Sequence, residues 1–251
     1  MCAGTIPDGG HILTRYFNID RRAVAVLMIM ALLVAGSRWL ADHPQHNPSA
    51  PLGIDDPPGW ATGRKLAHLR EAPDECRAFL QRSDIGFREV PPTGEGACRL
   101  ADRMALVPDE AQGLAFRPTR ATTTCAVNAG LALWLRHGVQ PAAERHLGSR
   151  VVALEHMGTS NCRRIGGGES GNWSEHATGN AIDIAGFVLA DGRRINVRRD
   201  WRDRGAASAF LQEARDAGCG VFGTLLSPDY NAAHADHFHI DQAPRNWGFC
   251  R

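Results

Sequence analysis

Two short stretches near the C-terminus alternate metal-ligand side chains with apolar ones, and this alternation restricts the fold more than any other feature of the chain. They run Ser174-Glu-His-Ala-Thr-Gly-Asn-Ala-Ile-Asp183 and His234-Ala-Asp-His-Phe-His-Ile-Asp241. Side chains of a strand point alternately to its two faces, so His237 and His239 would lie opposite Phe238. The pattern therefore predicts strands that bury apolar residues on one side and present imidazoles and carboxylates on the other.

The first stretch fits the same scheme. A strand here would carry Asp183 on one face and turn Ile182 and Ile184 into the core. Gly179 would let the chain turn sharply after His176, which would bring two residues seven positions apart toward one ion. Because charged and imidazole groups are costly to bury unless they are paired or bound to a metal, this density of ligands favours a metal site.

The ligand types in these stretches suit zinc. Zinc in proteins takes imidazole nitrogen and carboxylate oxygen in a tetrahedral shell, and a hydrolytic zinc ion keeps one position open for water. Two histidines and one aspartate would leave such a position free. The sequence therefore predicts a Zn²⁺ site and zinc-dependent hydrolysis. Other histidines lack this context, and we expect surface or structural roles for His68, His137, His146 and His156.

Length and charge limit the classes of function. With 251 residues, of which 43% are hydrophobic and 22% charged, the chain is long enough for one well-buried domain and an extension. Its formal charge is +1, and neither a basic block nor a mixture of basic and aromatic residues occurs along it. We therefore expect no nucleic-acid partner.

An apolar run from Ala23 to Gly36 indicates a membrane segment. Arginines at positions 15, 21 and 22 precede the run and would hold the N-terminal end inside the cell. We expect residues 1–22 to form a cytoplasmic tail and residues 23–40 an uncleaved anchor, since a long leading segment and an interfacial Trp39 are typical of one. Cleavage as a signal peptide after the small residues that end the run is the alternative.

This orientation predicts a single-pass protein of the inner membrane with its C-terminal domain in the periplasm, or a secreted domain if the segment is cut. The chain has seven cysteines, and six remain beyond Cys2 of the tail. An even number in an oxidising compartment suggests three disulfides, and the lack of a C-x-x-C pair argues against a cysteine-ligated zinc. Many pairings are possible; we expect Cys76 with Cys98, Cys125 with Cys162, and Cys219 with Cys250.

Prolines dominate residues 41–65, which we expect to be a stiff linker ahead of a folded domain at residues 66–251. Apolar spacing in the domain predicts a helix from Cys125 to Arg136, capped by the preceding threonines and stopped by Gly138. Further expected elements are a helix at Pro141–Leu147, a strand at Arg150–His156, a hairpin of Ala181–Leu189 with Arg194–Arg199, and a helix at Ala206–Ala217. This order predicts an α+β fold with a small antiparallel sheet and flanking helices.

Two resemblances follow from these motifs. One motif is Ser174-x-His176-x-x-Gly179-x-Ala181-x-Asp183 followed by His237-x-His239. It resembles the zinc site of the LAS metallopeptidases, a group that includes D-alanyl-D-alanine peptidases and murein endopeptidases. The longer run from Cys162-Arg163 through Asp200-Trp201 to Cys250 resembles the bacterial extensin-like C-terminal domain family, over roughly residues 70–251. The resemblance implies a LAS metallopeptidase-like fold and zinc ligands at His176, Asp183 and His239.

The same resemblance suggests roles for the neighbouring residues. Related peptidases often carry a glutamate as general base three residues before the last ligand, where this chain has Asp236, and others use the first histidine of His-x-His, which is His237. Strand alternation favours His237, and both assignments stay open. Arg163 and Ser174 would bind substrate, as an arginine does in related enzymes. Ser174 and His234 would also orient the ligand imidazoles.

Together these features predict a zinc-dependent peptidase or amidase that acts on peptidoglycan cross-links or stem peptides in the cell envelope. A second class stays open, because an intact metal site does not by itself demonstrate turnover. In that alternative the protein is a catalytically inactive zinc-containing module that binds wall peptides or a protein partner. Asp236 in place of a glutamate is the feature that keeps this alternative in view.

Overall fold

The computed structural model of the protein describes residues 10–107, 114–244 and 248–251. The chain divides into two compact units, Met1–His43 and Pro44–Arg251. Cys2 and the first part of the predicted cytoplasmic tail lie outside the described residues.

The first unit contains one long helix, α1 (Gly10–Asp42). Its segment Arg21–Asp42 has a mean hydropathy of 2.0, and none of it is buried. In the described part of the chain this is the one helix long and apolar enough to cross a membrane. A membrane anchor and a signal sequence both have these properties.

The second unit begins at Pro44, further toward the N-terminus than the expected domain boundary at residue 66. Lys65 Nζ donates a hydrogen bond to the carbonyl oxygen of Pro44 at 2.6 Å, and Leu52 is buried in the main core. The proline-rich residues from 44 onward therefore pack as part of the domain, because an apolar side chain and backbone hydrogen bonds hold them there.

The second unit contains six α-helices among its described residues. The helices expected near residues 125, 141 and 206 are confirmed, and Thr124 caps α4 by accepting a hydrogen bond from the Val127 N–H at 3.4 Å. The six helices are α2 (Thr62–Glu71), α3 (Pro73–Arg82), α4 (Cys125–Trp134), α5 (Gln140–Leu147), α6 (Val197–Asp200) and α7 (Ala206–Cys219) in the part of the unit that is described.

The prediction that Gly138 stops a helix is wrong. A π-helical turn, Leu135–Val139, joins α4 to α5 without a break. A Cβ at Gly138 would lie only 2.6 Å from the Cβ of Ala217. Gly138 therefore allows α7 to approach closely, which is a packing role that the local sequence does not reveal.

Seven strands form the main sheet in the described ranges. They are β3 (Ala115–Arg117), β4 (Val151–Gly158), β5 (Ala181–Leu189), β6 (Arg194–Asn196), β7 (Thr224–Leu226), β8 (Phe238–Asp241) and β9 (Phe249–Cys250). The strand order is β3-β4-β5-β8-β7-β9, and β6 pairs with β5. Pairing is antiparallel except for β3 with β4 and β7 with β9, which are parallel. The α+β class is confirmed, and the sheet is larger than expected. A separate antiparallel pair is formed by β1 (Phe87–Glu89) and β2 (Met104–Leu106).

The hairpin of β5 and β6 is confirmed at its turn and is shorter than predicted at its end. Gly192 has φ +87°, as the tight turn requires. The second strand stops at Asn196, because the side chain of Asn196 accepts a hydrogen bond from the Arg199 N–H at 3.1 Å and starts α6. Residues 197–199 are therefore helical, and their prediction as strand was wrong.

The core lies between helices α4 and α7 and one face of the sheet. All ten residues of α4 are buried. Trp134 links the layers, since its ring meets the ring of Phe187 on β5 edge to face at 6.0 Å and its Nε1–H donates to the Ala214 carbonyl on α7 at 2.7 Å. The predicted inward-facing residues Ile182, Ile184 and Phe238 are fully buried, as expected from alternation.

The six described cysteines form three disulfides, of which one matches the prediction. The pairs are Cys76–Cys125, Cys98–Cys162 and Cys219–Cys250. Two predicted pairs are wrong because partners were assigned without knowledge of packing: α3 lies against the start of α4, and the turn Gly96–Cys98 lies against the segment that carries His176.

Candidate metal centre

Two of the predicted ligands meet because their strands are neighbours in register. Asp183 on β5 lies directly opposite His239 on β8, so both side chains project from the same face of the sheet. Asp183 Oδ1 is 3.0 Å from His239 Nδ1. The antiparallel pairing of β5 with β8 therefore brings two of the three candidate ligands together.

The third ligand comes from a short 3-10 helix, Glu175–Thr178, that precedes β5. Ser174 caps this helix, since its hydroxyl accepts a hydrogen bond from the His176 N–H at 3.3 Å. Gly179 ends it with φ +71°, which confirms the sharp turn expected there. His176 Nε2 then lies 3.1 Å from Asp183 Oδ1 and 3.1 Å from His239 Nδ1.

These three atoms form a triangle that suits zinc. Ligand atoms bound to zinc at about 2.0–2.1 Å in a tetrahedral arrangement lie about 3.3 Å apart, close to the 3.0 and 3.1 Å separations between Nε2, Oδ1 and Nδ1 here. Two imidazoles and one carboxylate are also the donor types that hydrolytic zinc sites use. The residues present therefore fit the ion.

The electrostatics of the triangle favour a positive charge. Burial alone would lower the pKa of His239, but hydrogen bonds to the carboxylates of Asp183 and Asp241 raise it to about 9. Burial alone would raise the pKa of Asp183, but hydrogen bonds with His176 and His239 hold it well below its usual range. A carboxylate that stays ionised beside two imidazoles attracts a cation.

Asp241 contacts the ring of His239, an interaction that no sequence motif indicates. Its Oδ2 lies 3.0 Å from His239 Nε2, on the side of the ring away from Asp183. Asp241 is two residues after His239 on the same strand face, so period-two alternation is the signal that would have found it. Alternation indicates its strand face, whereas its hydrogen bond to His239 depends on how the side chains meet in the tertiary structure.

The two residues proposed as general base form a pair. His237 Nδ1 lies 2.8 Å from Asp236 Oδ1, and His237 Nε2 lies 3.5 Å from Asp183 Oδ1. An ionised carboxylate can only accept a hydrogen bond, so Nδ1 carries the proton and Nε2 presents its lone pair toward Asp183. His237 thus faces the site, while Asp236 lies behind its ring.

His234 lies at the edge of the same cluster. Its ring centroid is 5.2 Å from that of His237 and 6.0 Å from that of His239. Its Nδ1 is 2.8 Å from Asn231 Oδ1. Burial is the main cause that lowers the pKa of His234 to about 4, and electrostatic interaction with the neighbouring imidazoles adds to it, so this imidazole stays neutral.

Arg163 lies on an exposed loop that leads into the 3-10 helix. The Ser174 N–H donates to the Arg163 carbonyl at 3.1 Å, and the Asn161 N–H donates to the His176 carbonyl at 3.0 Å. The guanidinium is close enough to lower the pKa of His234 by charge repulsion. The structure therefore brings Arg163 to the rim of the candidate site, and it buries Ser174 as a cap.

A polar network fixes the segment that carries His176. Asn180 is almost fully buried; its amide nitrogen donates to Glu175 Oε2 at 2.6 Å, and its amide oxygen accepts from Thr124 Oγ1 at 2.8 Å. Arg70 adds an ion pair to Glu175 at 3.7 Å. The 3-10 helix is thus tied to α2 and α4, a connection between distant segments that no local pattern indicates.

The four histidines expected to have other roles lie in other contacts. His137 Nε2 lies 2.8 Å from the Ile54 carbonyl, and His156 Nε2 lies 2.8 Å from the Pro118 carbonyl. His146 pairs with Glu213, and His68 lies near Glu75. Their prediction as surface or structural residues is confirmed.

In this α+β domain a buried histidine, an aspartate and a second histidine converge on one point that could hold a metal ion. The chain itself belongs to the family described as Extensin-like protein C-terminus, whose model matches residues 74–251. That range contains every residue of the candidate site and all six paired cysteines. Neither curated proteins nor solved structures give a match to the chain.

Proposed function

We propose that the protein is a zinc-dependent peptidase or amidase that acts on peptidoglycan peptides in the cell envelope. The observation that carries this proposal is one arrangement: three ligand atoms of His176, Asp183 and His239 within 3.1 Å of one another, with His237 beside them. The similarity of the motifs to LAS metallopeptidases supports the choice of peptide substrates.

In this proposal His176, Asp183 and His239 hold the zinc ion. When bound, the ion supplies Lewis acidity, which lowers the pKa of a coordinated water and polarises a scissile carbonyl. His237 Nε2 accepts the proton of the attacking water and later gives it to the leaving amine. Asp236 keeps the proton of His237 on Nδ1 and stabilises the imidazolium that forms.

The geometry supports different roles for His237 and Asp236, the two candidates for the general base. Asp236 Oδ1 is bonded to His237 Nδ1, whereas His237 Nε2 points toward Asp183. A general base needs hydrogen-bond reach of the proton it takes, which favours His237 over Asp236. Arg163, exposed at the rim, would bind a carboxylate or carbonyl oxygen of the substrate.

We further propose that α1 anchors the protein in the inner membrane and places the second unit in the periplasm. The apolar segment Arg21–Asp42 is long enough to span a bilayer. Three disulfides in the described residues are typical of an oxidising compartment. Secretion after cleavage of the segment is the competing outcome, and the N-terminal sequence of the protein isolated from cells would distinguish the two.

Metal analysis is the first test of the function. The purified full-length protein in detergent should bind one zinc ion per chain, and His176→Ala, Asp183→Ala and His239→Ala should each weaken binding strongly, because each removes one of three protein ligands. His156→Ala is a matched control, since it removes a buried histidine outside the site and should leave zinc binding unchanged. Full zinc occupancy in all three ligand variants would contradict the assignment.

Turnover is the second test. Purified muropeptides are incubated with the zinc-loaded protein, and mass spectrometry follows the release of fragments with new amines. We expect cleavage by the wild-type protein and none by Asp183→Ala. If the wild-type protein binds zinc and muropeptides without cleaving them, the inactive binding module replaces the enzyme as the explanation.

A further inference from the structure

We infer that Asp241 is a positioning residue that holds the His239 ring with Nδ1 facing the proposed metal. The inference rests on the proposed zinc site and extends it to a residue that is not itself a ligand. Its basis is one contact, between Asp241 Oδ2 and His239 Nε2 at 3.0 Å.

A histidine binds a metal through an unprotonated nitrogen, and the hydrogen bond made by the other nitrogen selects which one that is. In His239 the nitrogen that faces the other ligands is Nδ1, 3.1 Å from His176 Nε2 and 3.0 Å from Asp183 Oδ1. An ionised carboxylate only accepts hydrogen bonds. If Nδ1 held the ion, the one proton left on the ring would lie on Nε2, and Asp241 would accept its hydrogen bond and hold the ring in that orientation.

The carboxylate of Asp241 is itself held in place. Its Oδ1 accepts a hydrogen bond from the Ala243 N–H at 2.8 Å, and the residue is only 4% exposed. Asp241 is paired with Ala181 on one neighbouring strand and with Thr224 on the other. A side chain fixed at both oxygens on a strand with two neighbours cannot turn away from His239 without breaking those contacts.

This arrangement predicts that Asp241 acts on metal affinity through the orientation and tautomer of His239. Outer partners of this kind typically contribute about 10- to 100-fold in metal affinity or activity. A residue that merely stabilised the fold would change the melting temperature without changing the affinity of the folded protein for zinc. The two roles can therefore be separated.

The deciding variant is Asp241→Asn, which keeps the shape and removes one acceptor oxygen. If the remaining amide oxygen accepts from the Ala243 N–H, the amide nitrogen faces His239 Nε2 and drives the proton onto Nδ1. If the amide oxygen instead accepts from His239, the Ala243 N–H loses its partner. We expect the dissociation constant for zinc, measured by competition with a chelator on the full-length protein, to rise about 10- to 100-fold.

Asp200→Asn is the matched control. Asp200 is also buried and accepts a hydrogen bond from a backbone N–H, that of Asn196, at 2.8 Å. Among the described residues it has no hydrogen bond to the three ligands. The control variant should lose thermal stability and keep the wild-type dissociation constant for zinc.

A readout on the wild-type protein covers the case in which Asp241→Asn does not fold. Nitrogen NMR of the zinc-loaded protein should show the ring proton of His239 on Nε2, whereas a proton on Nδ1 would overturn the inference. An unchanged zinc affinity in folded Asp241→Asn would also overturn it and leave the proposed function standing. A wild-type protein that binds no zinc would defeat both together, so the two failures are distinguishable.

Discussion

The two faces of β5 and β8 differ in what they contribute to the protein. On one face Ile182, Ile184, Phe238 and Ile240 are fully shielded from solvent and join the core. On the other face, the Asp183 and His239 side chains are 19% and 12% exposed and contact each other. Adjacent residues in the same strand thus belong to the core and to the candidate metal site.

This difference shows how a small site can be held rigidly. The apolar face excludes water and packs against helices, so the strands cannot shift without a large loss of buried surface. The polar face then receives side chains whose positions are already determined by the strands. Ligands on rigid elements are placed more accurately than ligands on loops alone.

His237 and Phe238 give the sharpest test of this comparison, because they are neighbours that face opposite sides. His237→Ala should reduce turnover of a muropeptide about 100- to 10,000-fold, the usual scale for a positioned proton carrier, with zinc binding and melting temperature nearly unchanged. Kinetics and metal analysis on the same sample check this. Asp236→Ala should have the smaller effect, since Asp236 acts through His237; a reversed ranking would make the carboxylate the base.

Phe238→Ala should show the opposite behaviour. The ring is fully buried and meets Trp201 edge to face at 5.5 Å, so its loss should cost about 3–5 kcal/mol in the free energy of unfolding. Chemical denaturation measures this cost. The protein that remains folded should still bind zinc. Loss of zinc binding without loss of stability would contradict the separate roles of the two strand faces.

The disulfides extend the comparison beyond the sheet. Cys76–Cys125 is fully buried, whereas Cys98–Cys162 precedes Arg163 at the rim. Their sequence separations are 49 and 64 residues, so replacing either pair by serine should cost a similar amount, about 2–4 kcal/mol of stability. Only the Cys98–Cys162 replacement should also raise KM for a muropeptide. Equal KM values for the two variants would show that the Cys98–Cys162 disulfide does not affect substrate binding.

Gly179→Ala should have the smallest of these effects. The positive φ of Gly179 costs a residue with a side chain about 1–2 kcal/mol. Since Gly179 ends the 3-10 helix that carries His176, we expect a modest loss of zinc affinity together with this loss of stability. Gly192→Ala, at the β5–β6 turn with φ +87°, is the control; it should lose similar stability and keep its zinc affinity.

Several parts of the fold could be predicted because they depend on local patterns. Alternation in residues 181–185 and 237–241 indicated which side chains enter the core, since neighbouring strand residues must face opposite sides. Thr124 was recognisable as part of a helix cap and Gly179 as a turn for equally local reasons. The apolar character of Arg21–Asp42 was visible in the composition alone.

Other parts depended on contacts between distant segments. The disulfide partners of Cys76 and Cys98 depend on which helices and turns pack together. Short sequence patterns do not indicate that packing. The role of Gly138 is another case, since its close neighbour is Ala217 on α7. Parallel pairing at the two edges of the sheet likewise requires knowledge of the strand order.

The candidate site divides in the same way. By itself the sequence determined which residue types could bind a metal and the strand face on which Asp183 and His239 lie, because ligand chemistry and period-two alternation are properties of short segments. The candidate set of His176, Asp183 and His239 came from the resemblance of the motifs to a known family. Only the tertiary structure decided that Asp183 lies opposite His239, that Asp236 stands behind His237, and that Asp241 stands behind His239. Register and hydrogen-bond direction arise when separate segments meet, and the energy that selects them is the burial of their apolar faces.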